Sequence, residues 1–209
     1  MSMIRKYLTL TLFLLTLFPL PATGASVKPL EVFSEKILQR EIEHFAAEHA
    51  LSSVMLRRAV DRMNREMNIM SRETTQESLK LLKGATESLG ASIKSSAELS
   101  NYLSSNSARL KDAGHGRFLP LARLNDEIEA PYHKALEKFL ATAAVFVGYC
   151  RDNFDAIASG SKIEGKRYDE LYAAYVKEMD NFNDQSIKRS QLLAEWGNEY
   201  PSLWELMPR

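Results

Sequence analysis

Residues 132–157, YHKALEKFLATAAVFVGYCRDNFDAI, decide the fold class. Apolar side chains recur in this stretch every three or four residues, the spacing that places them on one face of an α-helix. The positions on this face are Tyr132, Leu136, Phe139, Ala143, Phe146, Cys150, Phe154 and Ile157. Gly160 follows where a C-terminal helix cap is expected. The stretch therefore predicts an amphipathic helix over residues 131–158.

A second apolar face with the same spacing follows in the chain. Its positions are Tyr172, Tyr175, Met179, Phe182, Leu193, Trp196 and Tyr200. The connection over residues 159–166 is short, and short connections join antiparallel helices. We therefore expect a helix over residues 167–199 that packs against the first one. Pro201 ends that helix, and Ser202 can cap a short final turn over residues 202–206.

The N-terminal half shows the helical pattern over a longer stretch. No proline occurs between Pro29 and Pro120, which favours helix. One face over residues 30–70 contains Leu38, Ile42, Phe45, His49, Leu56, Val60, Met63, Met67 and Met70. Thr74 and Glu77 fit a capping box, which places a helix boundary at residues 71–74, although one uninterrupted helix also fits. The next helix is expected over residues 75–111.

The main internal break is expected between Ala113 and Ala130, because Gly114, Gly116 and Pro120 fall there. Taken together, the patterns predict an all-α protein. Its expected architecture is an elongated antiparallel helical bundle of about four long helices with coiled-coil-like seams.

The first 25 residues predict a cleavable signal peptide. Arg5 and Lys6 form a short basic region, an apolar run over residues 7–18 follows, and small residues occupy positions 22–25. The apolar run is about 12 residues long, whereas a membrane-spanning helix needs about 20. An uncleaved N-terminal anchor is the alternative. We expect residues 26–209 to form one exported domain, periplasmic or secreted, without a transmembrane segment.

Charge and cysteine content exclude several classes of protein. The chain has 27 basic and 27 acidic residues, and loss of Arg5 and Lys6 with the signal leaves 25 basic residues. This balance indicates no nucleic-acid partner. Cys150 is the only cysteine, so no internal disulfide can form, and its place on an apolar helix face predicts an inert thiol.

The candidate metal ligands are three methionines, Met63, Met67 and Met70, which share one side of the predicted helix. Thioethers select Cu(I). Core packing demands the same spacing, however, and methionine often fills gaps in cores. Packing is the preferred interpretation, and we expect no cofactor.

The histidines and glycines give no catalytic motif. Glu41 and His44 have the Glu-x-x-His spacing of carboxylate-bridged di-iron bundles, but Glu129 with His133 has the wrong spacing for a second pair and an intervening proline. His49 lies on the apolar face, which predicts a hydrogen-bonded core histidine. No nucleophile with a base, and no glycine-rich phosphate loop, is recognisable. We therefore expect no enzyme.

The helix over residues 75–111 has an unusual seam, because hydroxyls occupy many of its core positions. The seam consists of Leu79, Leu82, Thr86, Leu89, Ile93, Ser96, Ser100, Leu103, Ser107 and Leu110. A buried hydroxyl costs about 1–3 kcal/mol unless it is hydrogen-bonded. We expect the hydroxyls to bond to the preceding helical turn or to water. The alternative is a loose helix pair that opens to bind a ligand or partner.

The C-terminal segment is rich in large apolar residues. They are Trp196, Tyr200, Leu203, Trp204, Leu206 and Met207. These residues are candidates for partner binding, since aromatic side chains are enriched at interface hot spots. The preferred interpretation is that the tail folds back over the end of the bundle. Small residues at positions 141, 144 and 148 indicate a further possible surface, for self-association into a homo-oligomer.

These observations predict an exported helical-bundle protein that binds an unidentified protein partner, as a periplasmic or secreted accessory factor without chemistry of its own. The alternative is binding of a small ligand or metal within the bundle. Its candidates are the three methionines for Cu(I) and the tyrosines of residues 168–175 for a planar ligand.

Overall fold

The computed structural model describes residues 29–160 and 162–204, with side chains described for residues 35–160 and 165–203. The predicted signal peptide therefore lies outside the described residues. The chain divides into a unit ending at Ser34 and a unit that begins at Glu35. The described part of the chain contains helices and short connections and no strand. The protein is an all-α helical bundle, as the sequence predicts.

Four long helical stretches and several short helices make up the described chain. They are α1 (Pro29–Glu66), α2 (Arg72–Ser105), α3 (Ser107–Asp112), a 3-10 turn (Gly116–Phe118), α4 (Pro120–Leu124), a π-helical turn (Asn125–Glu129), α5 (Ala130–Asp152), α6 (Phe154–Ala158), α7 (Lys162–Glu199) and α8 (Pro201–Trp204). No helix in this part of the chain has both the length and the apolar character needed to cross a bilayer.

The first two long helices are separate, which excludes the uninterrupted helix that the sequence also allowed. The first helix ends at Glu66, earlier than the expected residue 70. Ser71 is the N-cap of α2: its side chain accepts a hydrogen bond from the Thr74 amide, and Thr74 Oγ1 accepts one from the Ser71 amide at 3.0 Å. The predicted capping pair of Thr74 with Glu77 is therefore wrong by one helical turn.

The predicted break up to Ala130 is wrong in its second half, because helix resumes at Pro120. Gly114, with φ of +74°, ends α3. Pro120 is the first residue of α4, a position whose amide would have no acceptor within the helix, so the missing amide hydrogen of proline costs no hydrogen bond. The following π turn is widened, and Ala130 donates to the carbonyl five residues before it, that of Asn125. Pro131 lies directly after this turn, so helical structure continues past it to Asp152.

Neighbouring helices α1 and α2 are antiparallel. Tyr102 Oη donates to Glu41 Oε2 at 2.9 Å, and the hydroxyls of Ser52 and Ser95 are 2.6 Å apart. A residue further along α1 therefore meets a residue earlier in α2, which is the register of a helical hairpin.

Helices α5 and α7 form the predicted antiparallel hairpin. The rings of Phe139 and Phe182 stack with centroids 5.5 Å apart, and the Phe146 ring meets Tyr168 edge-on at 5.3 Å. The connection between them contains the predicted cap Gly160, with φ of +77°, whose amide donates to the Ile157 carbonyl at 3.1 Å.

Two apolar clusters form the core. The first contains Leu56, Val60, Met63, Leu82, Ala85, Leu89, Leu136, Phe139, Leu140, Ala143, Phe146, Val147, Cys150 and Phe182. The second contains Leu38, Ile42, Leu99, Leu103, Leu110, Phe118, Leu121, Leu124, Ile128, Trp196 and Leu203. Along α1 and α2, buried polar side chains occupy the positions between the two clusters, and this interruption defines the candidate site.

Candidate functional site

A layer of buried polar side chains lies between the two apolar clusters. It contains His49 of α1, Ser92, Ser95, Ser96 and Ser100 of α2, Asn125 and Glu129 of the π turn, and His133 of α5, and we call this set the polar layer. Each of these residues is at least nine-tenths buried. Polar groups are rare in cores unless they are hydrogen-bonded, so their partners decide what the layer can do.

The strongest interaction of the polar layer is an ion pair with α7. Arg189 Nε donates to Glu129 Oε2 at 2.9 Å, and Arg189 Nη2 donates to Glu129 Oε1 at 2.7 Å. The same guanidinium lies over the Tyr132 ring, 4.8 Å from its centroid. Two parallel hydrogen bonds compensate the cost of burying the carboxylate and hold α7 against the π turn.

His133 lies one helical turn after Glu129, but its contacts are long. Its Nε2 is 3.3 Å from Ser92 Oγ and 4.0 Å from Glu129 Oε2. Burial lowers the pKa of His133 to about 4, against an opposing effect of Glu129, so the ring is neutral near pH 7. A serine–histidine–acid relay requires the acid at the other ring nitrogen, and here serine and acid approach the same nitrogen.

His49 is buried, as predicted, but the expected hydrogen bond is absent. Its Nδ1 has no hydrogen-bond partner among the described residues. Burial lowers the pKa of His49, while the charge of Glu129 acts in the opposite direction. The ring is therefore held neutral beside the ion pair, with an unsatisfied nitrogen that costs stability.

The seam hydroxyls follow the preferred interpretation from the sequence only in part. Thr86 Oγ1 donates to the Leu82 carbonyl at 2.9 Å, which is bonding to the preceding turn, and Ser95 Oγ beside the seam donates to the Ser92 carbonyl at 3.0 Å. Ser100 Oγ instead accepts from Asn125 Nδ2 at 3.2 Å, across to the neighbouring stretch. Ser96 Oγ makes no hydrogen bond to a described residue, although its own carbonyl also accepts from Asn125 Nδ2 at 3.2 Å.

A cleft of about 230 Å³ opens over this part of the polar layer, between α2 and the stretch from the π turn into α5. Its polar lining residues are Ser96, Ser100, Asn125, Asp126, His133, Lys134 and Glu137. The first three and His133 are buried, whereas the three charged residues are exposed. The π turn shapes this cleft, and such turns occur frequently at functional sites.

A second candidate site is the outer face of α1. Leu51 and Met55 are 62% and 55% exposed and one helical turn apart. Arg58 and Arg62 continue the same face at spacings of three and four, and both are exposed. Arg62 pairs with Glu66, whereas Arg58 has no ion pair among the described residues. We call Leu51, Met55, Arg58 and Arg62 the α1 outer face.

The three candidate methionines do not share one face. Met63 is fully buried in the first apolar cluster, whereas Met70 is 85% exposed. Met67 lies after the end of α1 and packs against the cluster. The helix ends at Glu66, so residues 67 and 70 are not helical and their spacing does not place them on the same face as Met63. No group of histidine, cysteine and acidic residues able to hold a metal ion occurs in the described part of the chain.

The C-terminal candidates are divided. Trp196 and Leu203 are buried in the second apolar cluster, and Tyr200 packs against it, 5.2 Å from the Trp196 ring. The tail thus folds back over the bundle up to Leu203, which is the preferred interpretation from the sequence. The Trp204 side chain, Leu206 and Met207 lie outside the described residues.

The remaining candidates have ordinary surroundings. Glu41 accepts from Tyr102, and His44 pairs with Glu48 at 3.6 Å, so the Glu-x-x-His pair is used in surface contacts. Cys150 is buried in the first apolar cluster, and burial raises the pKa of its thiol to about 11. The thiol is therefore protonated, in agreement with an inert cysteine.

The spacing of four residues between Glu129 and His133 is visible in the sequence, but Pro131 was taken to break the helix between them. Their burial in one layer, and the pairing of Glu129 with Arg189, were therefore not predicted. Comparison of the chain with family models, with curated proteins and with solved structures gives no match.

Proposed function

We propose that this protein is an exported interaction factor that binds another protein through the α1 outer face and carries out no chemistry itself. The observation that supports it is the exposed pair Leu51 and Met55 beside two arginines. Large apolar side chains exposed together are typical of interaction surfaces. The export part of the proposal depends on the predicted signal peptide and places the protein in a periplasm or outside the cell.

The chemistry of this face indicates the kind of partner. Leu51 and Met55 require an apolar counterpart, and methionine adapts its shape to varied partners. Arg58, without an ion pair among the described residues, favours a carboxylate opposite it. A partner helix or loop with apolar residues flanked by acidic ones would complement both parts.

The C-terminal tail contributes less to this proposal than its composition suggests. Trp196 and Leu203 are buried, so they are not available to a partner in this conformation. Copper binding by the methionines also loses support, because Met63 is in the core and Met70 is exposed.

A photo-crosslinking amino acid placed at Leu51 tests the proposal in cells that express the full chain. Ile187 of α7, 60% exposed, is the matched control position. We expect a discrete crosslinked product from position 51 in the extracytoplasmic fraction and none from position 187. Arg58→Glu should reduce the yield at position 51 several-fold.

Each outcome of this experiment decides part of the proposal. Equal crosslinking from positions 51 and 187, or none from position 51, would overturn the assignment of the α1 outer face. A product with twice the mass of the chain would identify a second copy as the partner. Recovery of the chain only from the cytoplasm would overturn export.

A further inference from the structure

The cleft over the polar layer has the properties of a built ligand site. Ser96, Ser100, Asn125 and His133 line it, and each is at least nine-tenths buried. Burying four polar side chains beside an opening is costly unless they acquire further hydrogen bonds. Ser96 Oγ forms no hydrogen bond to a described residue and is not one of the fully enclosed polar atoms, so it is open to a molecule in the cleft.

The hydrogen-bonding groups left over in the cleft are mainly acceptors. The Asn125 amide nitrogen already donates to the Ser96 carbonyl and to Ser100 Oγ, which leaves its oxygen as an acceptor. Ser92 Oγ is 3.3 Å from Nε2 of His133, and either group can be the donor. The carboxylates of Asp126 and Glu137, which also line the cleft, are acceptors only. The cleft therefore suits a ligand that donates hydrogen bonds.

The charges around the cleft agree with this conclusion. Asp126 and Glu137 line it together with one cation, Lys134, and none of the three forms an ion pair with a described residue. The net charge of these side chains is −1, which favours a cation over an anion. The volume of about 230 Å³ has room for a small organic molecule.

We propose that this cleft binds a small organic ammonium compound, whose N–H groups donate to the Asn125 side-chain oxygen and to the carboxylates of Asp126 and Glu137. The hydroxyls of Ser96 and Ser100 are available to further polar groups of the ligand. The site is separate from the α1 outer face in sequence and chemistry, so neither proposal depends on the other.

Three probes of nearly equal size test the sign of the preferred charge: ethanolamine as the cation, ethylene glycol as the neutral compound and glycolate as the anion. Each is titrated into the isotopically labelled mature chain at a fixed pH near 7, with amide signals followed by NMR. We expect saturable shifts at Ser96, Asn125 and His133 with ethanolamine, and affinity at least fivefold weaker for the other two probes.

Paired variants separate a specific site from general attraction. Asp126 and Glu137 are exposed, so Asp126→Asn and Glu137→Gln should fold normally, and each should weaken ethanolamine binding about fivefold or more. Glu87→Gln on the exposed face of α2 is the control and should leave binding unchanged. Equal responses to the three probes, no saturable shift, or the same loss in the control would overturn the proposal.

Discussion

Arg189 of α7 donates two hydrogen bonds to the buried carboxylate of Glu129, from Nε to Oε2 at 2.9 Å and from Nη2 to Oε1 at 2.7 Å. This contact joins α7 to the π turn at the level of the polar layer. A buried carboxylate destabilises the fold unless it has a charged or hydrogen-bonding partner, because burial removes the water that would otherwise solvate it.

Removing only the arginine should therefore be costly. We expect Arg189→Met to lower the free energy of unfolding by about 3–5 kcal/mol, because it leaves Glu129 buried without its partner. Urea unfolding followed by circular dichroism measures this change. The double variant Glu129→Leu with Arg189→Met should recover most of the loss, since no buried charge remains. A loss below about 1 kcal/mol in the single variant would contradict the structural role of the pair.

Acid should destabilise the protein through His133. An imidazole in the unfolded chain takes up a proton near pH 6.5, whereas burial lowers the pKa of His133 to about 4. The unfolded state therefore binds more protons between these values, and stability falls as the pH falls through this window. The contribution of His133 is on the order of 3 kcal/mol.

Unfolding free energies at several pH values between about 7 and 4 test this expectation. His133→Gln should show a shallower fall in unfolding free energy than the unchanged chain. Burial also lowers the pKa of His49, so His49→Gln should act in the same direction as His133→Gln. Parallel pH profiles for the unchanged chain and both histidine variants would refute the assignment.

The C-terminal segment should contribute to stability. Leu203 is only 2% exposed within the second apolar cluster, so Leu203→Ala should cost about 2–4 kcal/mol. Ile187→Ala, at a 60% exposed position of α7, should change stability by less than about 0.5 kcal/mol. Thermal or urea unfolding compares the two variants. Similar small effects for both would show that the tail is not docked.

Two glycines should respond in opposite directions to alanine. Gly114 has φ of +74°, a conformation that strains a residue with a side chain, so Gly114→Ala should destabilise by about 1 kcal/mol. Gly90 lies inside α2 with open space around it, so Gly90→Ala should stabilise by about 0.5–1 kcal/mol. Opposite shifts of the urea midpoint are expected. Shifts of the same sign would contradict the left-handed conformation of Gly114.

Much of the fold could be predicted because its causes are local. The apolar spacing from Tyr132 to Ile157 predicts one helix, and that stretch is helical apart from a short interruption at Asn153. The cap at Gly160 also follows from a local conformational preference. The predicted break before Pro131 was wrong, because the wider π turn before this proline allows helical structure on both sides of it. No pattern of apolar residues indicates such a turn.

The candidate sites were harder to predict because they depend on distant residues. The Glu129–Arg189 pair joins residues 60 positions apart, and the charge of each alone is typical of a solvated helix face. Met55 does not lie on the apolar face of α1. Its exposure beside Leu51 could be established only once the structure showed which face of α1 packs against the core. The structure likewise shows that Met63 is buried and Met70 is exposed, although both lie on the apolar face predicted from the sequence.

The sequence by itself determined the helical class and the antiparallel pairing of α5 with α7, since these follow from side-chain period and short connections. Only the tertiary structure decided which polar residues are buried together, where the cleft lies and that Trp196 belongs to the core. The physical reason is that burial and charge pairing depend on the rotation and register of neighbouring helices, which many residues set jointly.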